Sequence, residues 1–173
     1  VWQPSHLFWF WWQVVQPSRT ASCSKTNGPR CARWHLAQVC CSVASEVPPP
    51  LMADHARRRR LKVPELALTA GLEPLLLHAH VSEDIARREF GVTDPAVLSA
   101  VRKHTLGDPE MSLLDKVVYV ADACSLDRRR HGAARARALA FADLDAAFAR
   151  CVADKLAHAL ARGAWLHPLT IAL

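Results

Sequence analysis

The chain contains no apolar run approaching the roughly 18 to 20 residues that a membrane-spanning helix needs. The longest candidate, Leu7 to Val15, is short and has no basic region before it, so it does not read as a secretory signal. Acid is scarce in the first fifty residues, where Glu46 is the sole carboxylate side chain. No glycine-rich phosphate loop and no Gly-x-Ser-x-Gly elbow is present, which argues against a P-loop and against a serine hydrolase. Six cysteines occur, but Cys23, Cys31, Cys40 and Cys41 form no pair of Cys-x-x-Cys knuckles, so a zinc ribbon is not expected. Cys40 and Cys41 are adjacent, and Cys124 and Cys151 sit in helical sequence; neither pattern suits a disulfide framework. A reducing cytoplasmic location is therefore expected.

What is present divides near residue 50. Of six tryptophans, five lie at or before Trp34, in a segment that mixes Trp-Phe-Trp-Trp with scattered Ser, Pro and Cys. This segment keeps neither a helical nor a strand period for more than a few residues. Exposed tryptophan clusters without an amphipathic pattern are an aggregation hazard. Residues 1–50 are accordingly expected to be disordered or translated outside the natural coding frame, the alternative being a native arm that docks through its tryptophans. From Leu51 the composition turns to Ala, Leu, Arg, Asp and Glu, the residues of helical proteins. A chain of 173 residues is long enough for one domain with a buried core. A net charge of +6 favours anionic partners without choosing among nucleotides, nucleic acids and acidic membranes.

Helical punctuation organises residues 51–173. A helix ends at the basic exit Arg57 to Arg60. Pro64 to Ala70 is expected to be a short helix stopped by Gly71, and Pro74 to Phe90 a longer one closed by Gly91. The longer helix carries a Leu77, Val81, Ile85, Ala86 stripe. Thr93 or Asp94 should cap a helix that begins at Pro95, turns Val97, Leu98 and Val101 inward, and ends at His104. After a turn at Gly107-Asp108-Pro109, Ser112 to Ala123 should present Leu113, Leu114, Val117, Val118 and Val120 to the core. A short helix over 133–140 and a long one from Asp143 to Arg162, ended by Gly163, complete an all-α body. No strand pair is evident.

His78, His104 and Asp122 fall on three different expected helices, which is how metal or phosphate sites are built in helical bundles. Singly they are weak signals. A histidine near a helix end is more often a cap, Asp122 can cap the next turn, and His78 and His80, two apart, do not share a helix face. His131, His158 and His167 read as packing or capping residues, and Arg57 to Arg60 as a solvated helix exit.

The order and spacing of Leu76-Leu77-His78, Arg102-Lys103-His104-Thr105-Leu106-Gly107, Met111-Ser112-Leu113-Leu114-Asp115-Lys116-Val117-Val118-Tyr119-Val120-Ala121-Asp122, Arg128 and His167-Pro168-Leu169-Thr170 are together more specific. From about Leu51 onward the chain resembles the YqeK family, HD-domain hydrolases that split diadenosine tetraphosphate symmetrically into two ADP. The resemblance implies an HD-domain helical bundle, with Asp122 as a metal ligand and iron as the usual metal. His78 and His104 would line the phosphates, and Ala123 and Arg128 would border the nucleotide. It also implies a metal-bound water that attacks phosphorus, with imidazoles donating to phosphate and Arg128 offering a bidentate fork.

The chain departs from that family in one place. The family's adjacent His-Asp pair would stand in Leu51-Met52-Ala53-Asp54, where Asp54 matches the Asp and Ala53 replaces the His. An earlier first-helix His has no credible counterpart in His6 or His35. His55 lies one residue away, about 100° around a helix with 3.6 residues per turn. The sequence therefore predicts a metal-dependent hydrolase by resemblance, with a metal site reduced to Asp54 and Asp122, weakened divalent-metal binding and an N-terminally incomplete bundle. The alternatives are a nucleotide-binding remnant without catalysis and a basic nucleic-acid-binding protein. A dinucleoside polyphosphate or ADP is the expected ligand, no membrane and no nucleic acid the expected partners, and association into a homodimer through the uncovered face an accompanying expectation.

Overall fold

The computed structural model describes residues 47–124 and 132–173, and within them every regular element is helical. Helix α1 (Pro49–Arg59) begins with prolines in its first turn, where a missing backbone N–H costs nothing, and leaves through Arg60 at φ 52°. Its C-terminal Arg57, Arg58 and Arg59 complement the negative end of the helix dipole. Helix α2 (Leu66–Leu72) starts later than the sequence pattern suggested, because Glu65 takes a left-handed conformation, and Gly71 lies inside it rather than ending it. The expected long helix from Pro74 is instead a 3-10 turn, Pro74–Leu77, followed by α3 (His78–Arg88). That break puts His78 in the first position of an α-helix. The expected stripe holds, with Leu77, Val81, Ile85 and Ala86 all buried.

Local side-chain caps set the next starts. Asp94 accepts from Ala96 N at 2.9 Å to open α4 (Pro95–Lys103), whose Val97, Leu98 and Val101 are buried. Ser112 and Asp115 form a reciprocal capping box at α5 (Leu113–Ala123). Because the box makes Leu113 the first helical residue, its side chain points outward and is 73% exposed, contrary to its expected place in the core. Val118 and Val120 are buried, and Leu114 and Val117 are half-buried. Helix α6 (Ala133–Ala140) and the long α7 (Leu144–Ala161, capped by Asp143) follow as expected, and α8 (Pro168–Ile171) closes the described chain.

Three buried clusters join these helices. Met52, Ala53, Leu77, Val81 and Ile85 bind α1 to the 3-10 turn and α3. Ala86, Val97, Val101 and Val118 join α3, α4 and α5. Tyr119, Cys124, Ala136, Ala147 and Cys151 join α5, α6 and α7. Among the described residues no helix is long and apolar enough to cross a membrane.

Candidate functional site

A groove of about 890 Å³ lies between the 3-10 turn, the His104–Leu106 turn, the end of α5 and the C-terminal half of α7. His78, Asp122 and Ala123 line it, three of the residues singled out from the sequence. His104 stands directly behind His78, only 2% exposed. The two Nε2 atoms are 3.0 Å apart and the rings meet edge to face. His78 Nδ1 lies 2.5 Å from Leu75 O, and His104 Nδ1 lies 2.6 Å from Val101 O. A carbonyl oxygen only accepts, so each Nδ1 must carry the hydrogen. Both Nε2 lone pairs then aim at the same point. The Thr105 hydroxyl, 2.8 Å from His78 Nε2, can donate to one of them. The other calls for a shared proton or a donor brought by a ligand. Burial, together with the neighbouring His78 imidazole, holds His104 down at about 4, while Asp122 pulls it the other way.

Lys155, which the sequence motifs did not flag, completes the groove wall. Its Nζ bonds Thr105 O at 2.5 Å and lies 4.1 Å above the Tyr119 ring. Fifty residues separate Lys155 from Thr105, so no local motif connects them. The only sequence signal is spacing: Lys155, His158 and Arg162 recur at three and four residues along α7 and into its C-cap, and all three line the groove.

Other sequence candidates are placed elsewhere. Asp54 sits on the outer side of α1, 54% exposed, with Arg57 Nη1 3.6 Å away. Ala53, where the resemblance would have a His, is buried in the cluster of Met52, Leu77 and Val81. His55 turns to α3 instead, its Nε2 2.9 Å from Asp84 Oδ2. Arg128 lies outside the described residues. His80, two residues from His78, is also buried, with Nδ1 lacking a hydrogen-bond partner; the two rings occupy different sides of α3. His167 acts as the expected cap, accepting from Leu169 N at 3.1 Å while Nε2 donates to Pro64 O. Among the described residues no three His, Cys, Asp or Glu side chains converge to hold a metal ion. The exposed, Arg57-paired Asp54 does not join Asp122 as a second donor in the groove. The divalent metal that the resemblance implies thus does not fit the donors described.

The comparisons with known proteins agree with the helical reading. The HD domain family model matches residues 54–127. The symmetrical bis(5'-nucleosyl)-tetraphosphatase of Bacillus subtilis (strain 168) is 41% identical over 83 residues, 48% of this chain and 45% of that protein. The protein of the same name from Halalkalibacterium halodurans is 35% identical over 97 residues, 56% of this chain and 52% of that one. The chain thus spans about half the length of the curated relatives it matches. The crystal structure of a predicted HD superfamily hydrolase involved in NAD metabolism from Clostridium acetobutylicum superposes with a TM-score of 0.68. That match is 21% identical and covers 85% of this chain and 87% of that one, a likeness of fold. Residues 54–127, which hold the His-to-Asp stretch, match the HD domain family model, and the all-α bundle around them shares the fold of that solved structure.

Proposed function

We propose that the chain binds diadenosine tetraphosphate in the groove and belongs functionally with the hydrolases that split it symmetrically into two ADP. In this chain the hydrolytic step is slow. The observation that carries the binding half is the convergence of His78, His104, Thr105 and Lys155 on one groove. A hydroxyl and an ammonium group are donors that phosphate oxygens require, and the imidazole pair joins them once it takes up the shared proton between its two Nε2 atoms. The names of the relatives support the choice of substrate. The slow step is argued from Asp54, which is turned to solvent and Arg57, and from Ala53, whose methyl group offers no donor. A nucleotide-binding chain without turnover is the second reading, and Asp54 favours it for the same reason.

The test is to incubate the full chain with diadenosine tetraphosphate, with and without added ferrous or manganous ion, and to separate the products chromatographically. Saturable binding, with ADP as sole product at a low rate that neither ion raises to rapid turnover, is expected. Stoichiometric iron with rapid multiple turnovers would overturn the damaged-site reading. Failure to bind either diadenosine tetraphosphate or ADP would overturn the whole assignment, and salt-dependent nucleic-acid binding in its place would favour a basic nucleic-acid-binding protein.

A further inference from the structure

The groove is longer than the cluster at its His78 end. Lys155 is tied to Thr105 O, so its ammonium group belongs to the end where His78 and His104 stand. Arg162, the C-cap of α7, is seven residues further on, about 10 Å at a rise of 1.5 Å per residue. His158 lies between them on the same side of the helix, and all three line the groove. The chain then turns back at Gly163 (φ 62°) and brings Trp165 to the same wall. Trp165 is half-buried and held edge-on against the buried His167 ring, with centroids 5.3 Å apart. The carboxylate on this stretch of wall, Asp154, is engaged by Arg150 Nε at 3.0 Å. A cationic stripe about 10 Å long that ends at an indole matches an anionic diphosphate followed by an aromatic base.

We propose that His158, Arg162 and Trp165, beyond Lys155, form a second nucleotide subsite, which takes the ADP half of a dinucleoside polyphosphate not held at His78 and His104. This rests on the reading of the groove given above. Arg162 and His158 contact the phosphates, and Trp165 stacks on the base. Arg162 is exposed and Trp165 is not among the hydrophobic side chains packed on the three buried clusters, so they set affinity and the requirement for a second base more than the fold.

Calorimetric titration of the full chain with ADP, diadenosine tetraphosphate and tripolyphosphate tests this. The wild-type chain should bind two ADP or one diadenosine tetraphosphate. Arg162→Gln and Trp165→Leu should each reduce ADP to one per chain. Each should also weaken diadenosine tetraphosphate roughly 10- to 100-fold, the scale of one lost base stack. Tripolyphosphate should be weakened by Arg162→Gln and left unchanged by Trp165→Leu, which separates phosphate contact from base contact. Arg162 is exposed, so its variant keeps the test valid even where Trp165→Leu melts early. Wild-type affinity and stoichiometry in Arg162→Gln would overturn the second subsite while leaving the groove assignment standing. A wild-type chain that binds none of the three ligands would overturn both.

Discussion

Asp84 is 7% exposed, yet its carboxylate is fully engaged: His55 Nε2 lies at 2.9 Å and Arg88 Nε at 2.7 Å. Burial pushes its pKa up, but the hydrogen bonds from Arg88 and His55 outweigh that and leave it below the ordinary value. Asp84→Ala should cost about 1–3 kcal/mol in a urea melt, the range for removing a partner of charge-assisted hydrogen bonds. A change below about 0.5 kcal/mol, the scale of a neutral surface substitution, would show that the pair is ornamental. His80 is the converse case. Burial first, then the nearby Arg102 charge, lowers it from 6.5 to about 4, and no hydrogen bond to Nδ1 compensates. With the folded pKa depressed, the unfolded chain binds more protons between pH 6.5 and about 4, so stability falls as pH drops through that window. The thermal midpoint should decline from pH 7 to 4, and His80→Gln should make the decline shallower. An unchanged slope in that variant would assign the effect to other groups.

At the scale of elements, the starts of α4 and α7 rest on single side chains and that of α5 on a reciprocal pair. Ser112→Ala removes one half of the α5 capping box and should cost about 1 kcal/mol, with Leu113→Gln beside it close to neutral because that side chain is 73% exposed. Equal losses in both variants would contradict the cap. These starts were legible in the sequence because a cap acts over two or three residues. The breaks were not. The 3-10 turn at Pro74–Leu77 and the left-handed Glu65 depend on how α2 and α3 pack on α1, and propensity is silent about that. Gly107 belongs to the same scale. It holds φ 75° in the turn after α4, and a Cβ there would stand 2.5 Å from Leu173 Cδ1, a flexible side-chain end. Gly107→Ala should therefore destabilise by roughly 1–2 kcal/mol, chiefly through the left-handed backbone.

Across the whole molecule the C-terminal segment acts as a strap. His167 reaches Pro64 O, and Thr170 donates to Leu106 O at 2.9 Å, contacts that span 103 and 64 residues of chain. His167→Ala removes the long contact and the cap on Leu169 N together, and should cost about 1–3 kcal/mol, measured as a lower urea midpoint with an unchanged slope. An altered slope would mean that the strap governs cooperativity as well. The same segment carries Trp165 past the groove, so the strap and the proposed second subsite share a backbone.

Some conclusions needed nothing beyond the order of residues. The all-α class, the caps at Asp94 and Asp143, the helices over 113–123 and 133–140 and the HD-domain resemblance of the His104 to Asp122 stretch all rest on patterns within a few turns of chain, where geometry is nearly fixed by local bonding. Other facts exist only once distant segments meet. His55 serves Asp84 across 29 residues; His78 and His104 share one point; Lys155 closes the wall from α7. A helix repeats every 3.6 residues, so adjacent positions point about 100° apart, and which of them looks into the groove is settled by packing against other helices.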